Sequence, residues 1–181
     1  MSTPLAIFAL DTKIPPLRTL WSEAKEEEMP LQLGVFIAGE ATEEELDAPE
    51  WESVFVRWTE PEIHDIALLE TYTFEEPEGE ELSRKATELL SELPQDSSRF
   101  VLEQHLLNVK RLYVIQTLPA LLDDEDHAGW DGIDLVLRVL ADVTGGVIYA
   151  EGEGFYSAEG TPFYTPDLLL GNESEDEDEE E

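Results

Sequence analysis

Runs of apolar residues predict most of the strands in this chain. Residues 5–10 form a short continuous apolar run, which is typical of a strand buried on both faces. Residues 31–38 predict a second strand, and its dense apolar second half favours a central place in the sheet. Residues 99–107 and 110–118 are two further β-rich runs, and residues 147–150 predict a last strand.

A hairpin is predicted in the first half of the chain. Residues 53–59 alternate between an apolar and a more polar face, which is the period of a strand. Residues 66–74 form a second extended run, so the segment 60–62 between them predicts a turn that contains proline. A helix over residues 62–70 is an alternative that the same pattern leaves open.

Apolar residues at helical spacing predict three helices. The first covers about residues 17–24, the second residues 78–93 with a stripe of leucines, and the third residues 131–144. Gly145 follows the third helix and predicts a left-handed C-cap. Residues 43–49, with three glutamates and a proline, predict an exposed loop or a short helical turn.

These elements predict an α+β fold with a mixed or mainly antiparallel sheet. We expect about six or seven strands and about three helices, mostly on one face of the sheet. A hydrophobic content of 41% can supply one core at this length, so residues 1–168 are expected to form a single acidic α+β domain. Residues 169–181 lack periodic apolar runs and predict a disordered acidic tail.

Net charge restricts the partners that the chain can bind. It carries 44 acidic and ten basic residues, a formal charge of −34 at pH 7. A field of this sign repels nucleic acid and anionic lipid and attracts basic surfaces. We therefore predict a basic protein partner, with no nucleic acid and no membrane. The oligomeric state is left open by the sequence.

Composition argues against several kinds of chemistry. There is no cysteine, which excludes disulfides, thiolate nucleophiles and cysteine-based zinc sites. The apolar run at residues 5–10 is too short for a signal sequence or a membrane span, and it follows no basic segment. These features lead us to expect a cytoplasmic protein without a cofactor.

A glycine-rich segment near the C-terminal end does not predict a phosphate site. Gly152 and Gly154 lie two residues apart, but Glu151 and Glu153 would repel an anion and no helix follows. A β-turn with glycines at positive φ is the better interpretation. The aromatic residues Tyr149, Phe155, Tyr156, Phe163 and Tyr164 predict either a partner-binding surface or ordinary packing at the sheet edge.

The strongest acidic cluster inside the expected domain does not predict a metal site. Asp123, Asp124, Glu125 and Asp126 precede His127, but they lack the ligand order and central glycine of a calcium loop. A solvated loop is favoured over a weak cation site. The three histidines are isolated, and serine-nucleophile and Walker motifs are absent, so we predict no catalytic residue, no metal ligand and no enzyme.

The resulting hypothesis is a small acidic interaction protein that binds and masks a basic protein, as an inhibitor, an immunity-type protein or a nucleic-acid mimic. Opposite charge gives fast association, and aromatic residues supply anchors. One alternative is an enzyme or housekeeping protein whose acidity reflects a high-salt environment, and another is a secretion or assembly chaperone. The predicted partner-binding residues are Trp51, Trp58, Asp123, Asp124, Glu125, Asp126, Trp130, Glu151, Glu153, Phe155 and Tyr156.

Overall fold

An antiparallel sheet is the framework of the protein. The computed structural model describes residues 5–35, 40–60, 62–73, 75–92, 97–122, 129–150 and 154–164. Within these ranges the sheet has eight strands in the order β2-β3-β4-β5-β1-β6-β7-β8, and every neighbouring pair is antiparallel. The strands are β1 (Leu5–Ala9), β2 (Leu31–Gly34), β3 (Ser53–Trp58), β4 (His64–Tyr72), β5 (Arg111–Thr117), β6 (Val147–Ala150), β7 (Gly154–Tyr156) and β8 (Pro162–Tyr164).

Helices cover both faces of the sheet. Four contribute to the core on one face and two to the core on the other, and together with the large antiparallel sheet they confirm the predicted α+β class. The first group is α1 (Leu17–Glu26), α2 (Glu43–Asp47), α5 (Pro119–Leu122) and α6 (Gly129–Thr144), and the second is α3 (Pro77–Ser91) and α4 (Ser97–Leu107). The described residues thus hold six helices where the sequence predicted about three.

Several predicted elements are confirmed at the residue level. Strand β1 lies between β5 and β6 and is almost fully buried, because residues on its two faces belong to two different cores. Strands β3 and β4 pair as the predicted hairpin, so the helical alternative for residues 62–70 is wrong. Helix α6 ends at Thr144, and Gly145 follows with φ +64° as the left-handed cap.

Two sequence-based predictions are wrong. Residues 99–107 belong to helix α4, not to a strand. Buried Leu102 and half-buried Leu106 are four residues apart and share a helical face against the sheet, while the other apolar residues of the segment face solvent and give it a strand-like density. Within the described residues, strand β2 pairs only with β3 and is an edge strand, not a central one. Its apolar Leu31 and Leu33 pack on the helical face.

The sheet separates two apolar cores. The larger one, within the described residues, joins the first group of helices to side chains such as Val56 and Ile115. The second joins α3 and α4 to the opposite face, where the ring centroids of Phe8 and Tyr149 lie 5.6 Å apart. Alternation along β1 and β5 sends successive side chains into different cores, which explains why β1 and residues 112–115 of β5 are apolar.

None of the helices in the described ranges is long and apolar enough to cross a membrane. The expected tail at residues 169–181 lies outside the described residues, as does the last part of the expected domain. The prediction of one domain over residues 1–168 therefore stays a prediction.

A nearly buried ion pair joins the strands of the hairpin. Arg57 is 4% exposed, and its Nε donates to Asp65 Oδ1 at 2.7 Å, next to an irregularity in the register between Val56 and Arg57. A guanidinium this deep needs hydrogen-bonded partners, because an unpaired buried charge is strongly destabilising. The pair therefore holds the turn end of the hairpin.

We expect Asp65→Ala to lower the free energy of unfolding by about 3 kcal/mol, because it removes a carboxylate from a buried arginine. The matched control is Glu88→Ala, which breaks the exposed pair with Arg84 and costs about 0.5 kcal/mol or less. Urea unfolding of both variants measures the difference. Equal losses would show that Arg57 does not depend on Asp65.

His105 fixes helix α4 on the sheet. Its Nε2 lies 2.7 Å from the backbone oxygen of Phe8, which only accepts, so the ring nitrogen donates. Burial lowers the pKa of His105 from its usual value of 6.5, although the hydrogen bond to Phe8 acts in the opposite direction. The neutral imidazole is the form that the fold favours.

The depressed pKa of His105 predicts how stability depends on pH. As the pH falls through about 6.5, the unfolded chain takes up a proton at this position before the folded chain does, so stability declines. We expect His105→Gln, whose amide can donate to the same carbonyl, to show a shallower decline between pH 7 and pH 5. Thermal unfolding of both proteins over that range tests this, and identical slopes would contradict it.

Candidate functional site

A groove of about 580 Å³ opens at the end of the β3–β4 hairpin that lies away from its turn. Three loops and the start of β5 surround it. The groove, as defined here, is lined by Ile14, Glu50, Trp51, Glu52, Ser53, Glu70, Thr71, Tyr72, Thr73, Glu75, Glu76 and Arg111.

Pairing of the hairpin strands brings one wall of the groove together. Ser53 is the register partner of Glu70, and the Thr71 amide donates to the Glu52 carbonyl at 3.0 Å. Trp51 is fixed by its indole Nε1, which donates to the Pro15 carbonyl at 2.8 Å. The loop that carries the first glutamates is therefore anchored to both the sheet and the loop before α1.

A side-chain hydrogen bond and a close approach hold the opposite wall, where β4 leads into α3. The Glu76 carboxylate accepts a hydrogen bond from the Thr73 amide at 2.7 Å. Gly79 in the first turn of α3 lies against the same segment, since a Cβ on it would be 2.2 Å from the Thr73 carbonyl oxygen. Only glycine permits this approach without a backbone shift, so the wall has a defined position.

The groove is strongly negative. Arg111 is the only basic side chain among the described residues that line it, whereas Glu50, Glu52, Glu75 and Glu76 are exposed and Glu70 is half-buried. These side chains belong to segments far apart in sequence, which the sheet brings around one opening. Carboxylates around a concave, partly desolvated surface focus the field and attract cations.

Arg111 does not neutralise the groove. Its Nη1 donates to Thr71 Oγ1 at 3.1 Å and its Nε to the Thr12 carbonyl at 3.4 Å, and no carboxylate of the described residues is bonded to it. The other arginines all form ion pairs with carboxylates within the same residues. The groove glutamates are thus left available for an external cation.

The pKa of Tyr72 reflects the partial burial and the negative charge of the groove. Partial burial raises the pKa of its hydroxyl to about 12, and a hydrogen bond to Glu70 together with the negative charges of Glu70, Glu78 and Glu76 acts in the same direction. The phenol therefore stays protonated throughout the physiological range and can donate. The same carboxylates that disfavour a phenolate favour an ammonium or guanidinium group.

Three of the predicted anchors belong to the core. Trp51 and Trp58 are 7% and 6% exposed, and Phe155 is fully buried against Tyr149 with ring centroids 5.2 Å apart. Trp58 packs so closely on α6 that a Cβ on Gly132 would lie 3.1 Å from its ring. Burial leaves these rings almost no area for a partner, but Trp51 also lines the groove, so the role of the three residues in partner binding stays a prediction.

The remaining predicted residues are spread over the molecule or lie outside the described ranges. Trp130 is 38% exposed at the start of α6, and Tyr156 is half-buried on β7. Neither lines the groove. Six predicted acids lie outside the described residues, so their role stays a prediction: Asp123, Asp124, Glu125, Asp126, Glu151 and Glu153.

Sequence reasoning missed the groove glutamates. Glu50 and Glu52 come just before β3, and Glu75 and Glu76 follow the end of β4. The predicted hairpin is the signal that could have found them, since pairing around the turn places these strand ends side by side.

The described residues contain no group of three histidine, aspartate or glutamate side chains placed to hold a metal ion. Comparison of the sequence with models of known families and with curated proteins, and of the fold with solved structures, found no match.

A buried hydroxyl lies beneath the site. Tyr113 is fully buried, its ring centroid lies 5.9 Å from that of Trp51, and its hydroxyl has no hydrogen-bond partner among the described residues. Burial raises the pKa of this phenol to about 12, although the Arg111 charge lowers it. An unpaired buried hydroxyl costs about 1–3 kcal/mol relative to a satisfied one.

We expect Tyr113→Phe to keep or raise the free energy of unfolding, by up to about 1 kcal/mol, because it removes a buried polar atom without leaving a partner unpaired. Chemical unfolding at pH 7 measures this. A loss of more than about 1 kcal/mol would show that the hydroxyl has a partner in solution.

Between pH 10 and pH 12 the Tyr113→Phe variant should also lose less stability than the wild type, because the wild-type Tyr113 ionises first in the unfolded chain.

Proposed function

We propose that this protein binds and masks a basic protein, and that the groove holds a lysine- or arginine-bearing segment of that partner. The observation that supports this is the ring of five glutamates around the opening, with one arginine that is bonded elsewhere. The role is that of an inhibitor, an immunity-type protein or a nucleic-acid mimic, without catalysis. The support for a cytoplasmic site of action is the absence of cysteine.

Two electrostatic effects act together in this proposal. The charge of −34 draws a cationic partner from a distance and speeds association, an effect that salt weakens. At contact, a charge pair about 4 Å apart at a protein surface has a gross attraction of about 4 kcal/mol, of which desolvation and ordering leave about 1 kcal/mol or less. The groove therefore determines which partner binds, and the net charge of the whole surface determines how fast the partner associates.

The test compares two variants with equal net charge. The groove variant carries Glu50→Gln, Glu52→Gln and Glu75→Gln, whose side chains form no hydrogen bond or ion pair with other described residues. The control variant carries three Glu→Gln changes at exposed positions 26, 27 and 28, near the end of α1. Wild type and both variants serve as baits in affinity purification at low and moderate salt.

We expect wild type and the control variant to retain the same basic protein, and the groove variant to lose it. Loss of three contacts corresponds to about tenfold or more in affinity, measured on the purified pair by calorimetry. The association rate of wild type should fall steeply with added salt. If both variants bind the partner equally weakly, the groove is not the binding site. If wild type retains no basic protein, the proposed function is wrong.

A further inference from the structure

A second, smaller opening adjoins the groove. It lies between helix α3 and strands β4 and β5 and has a volume of about 150 Å³, and a cavity of that size accommodates benzene. This opening, here called the α3 pocket, is lined by Tyr72, Glu78, Glu81, Leu82, Lys85, Val114 and Gln116. Its volume therefore suits one side chain of a partner.

Tyr72 is the wall that the α3 pocket shares with the groove. Its side chain lines both openings. The charge of Glu76, which lines the groove, and that of Glu78, which lines the pocket, both raise the pKa of the Tyr72 hydroxyl, so a carboxylate of each opening lies near this ring. The two openings are therefore neighbours, with one side chain between them.

The base of the α3 pocket is apolar, and its rim is charged. Leu82 and Val114 are 8% and 3% exposed and belong to the core beneath α3. Glu78 is exposed, and its side chain forms no hydrogen bond or ion pair with other described residues. An apolar base below a carboxylate suits a lysine or an arginine, because the alkyl stem packs on apolar surface while the charged end stays at the rim.

One basic side chain of the protein already lies at this rim. Lys85 Nζ is 3.7 Å from Glu81 Oε1, one helical turn away. This contact offsets the charge of Glu81 and leaves that of Glu78, so the pocket lining keeps an excess of negative charge. A cationic group that enters the pocket is therefore attracted toward Glu78.

We propose that the basic segment of the partner is dibasic, with one basic side chain in the groove and a second, two residues along, in the α3 pocket. This inference rests on the function proposed above. Side chains at positions i and i+2 of an extended segment point the same way and lie about 7 Å apart, which spans one intervening side chain. Adjacent basic residues point in opposite directions, so they cannot fill both openings.

Two blocked peptides of equal length, composition and charge test the spacing. One carries two lysines separated by a serine, and the other carries the same two lysines side by side, with serine and glycine elsewhere. Calorimetry at low salt measures their binding to the wild type. Attraction to the overall charge is equal for both peptides, so we expect the spaced peptide to bind about fivefold tighter through its second contact.

A single substitution in the α3 pocket tests its part in this preference. We expect Glu78→Gln to abolish the difference by weakening the spaced peptide alone. The matched control is Glu27→Gln, which removes the same charge at an exposed position next to the end of α1, and it should keep the difference. Circular dichroism verifies that both variants fold.

Equal binding of the two peptides by the wild type overturns the inference. Tighter binding of a peptide with leucine in place of the second lysine also overturns it, because the pocket would then select apolar side chains. The groove variant distinguishes this failure from failure of the proposed function. If it loses both peptides while the wild type binds them equally, the groove binds basic segments and the pocket takes no part. If it binds both as well as the wild type does, or if the wild type binds neither, the proposed function is wrong as well.

Discussion

Repulsion among carboxylates is the constraint on which the rest of this structure depends. A chain with charge −34 can remain compact only if apolar burial exceeds the cost of bringing these groups together. The fold meets this by burying side chains on both faces of one sheet, so that β1 and β5 each serve two cores. Ion pairs of the arginines relieve the repulsion locally, and that of Arg57 does so where solvent is nearly excluded.

The same sheet brings some of the glutamates together at one site. Glutamates at the ends of β3 and β4 are separated by some twenty residues in sequence, and antiparallel pairing places them around one opening. Arg111 donates hydrogen bonds to Thr71 and to the loop before α1. Because its guanidinium is held there, it does not pair with the groove glutamates of the described residues.

Local patterns predicted the elements whose apolar residues are buried, on one face or on both, and failed where exposure depends on neighbouring elements. The central strand β1, the β3–β4 hairpin and helices α1, α3 and α6 follow from the spacing of their apolar residues and from the prolines and glycines near their ends. Helix α4 was missed because Phe100 and Leu107 are apolar yet exposed, which conceals the helical period of Leu102 and Leu106. The burial of Trp51 and Trp58 could not be predicted, because a single sequence gives no measure of burial, and the groove required the register of β3 against β4.

The division of the interior by the sheet also has a consequence for motion. Helices α3 and α4 rest on the smaller of the two cores in the described residues, so this layer should open locally at a lower free energy than the layer of α1 and α6. The segment from β4 to α3 forms a wall of the groove and leads directly into that weaker layer. A ligand bound against Thr73 and Glu76 would therefore slow amide hydrogen exchange throughout α3. Binding in the groove at one end of the sheet would in this way make the helical layer of α3 and α4 more rigid.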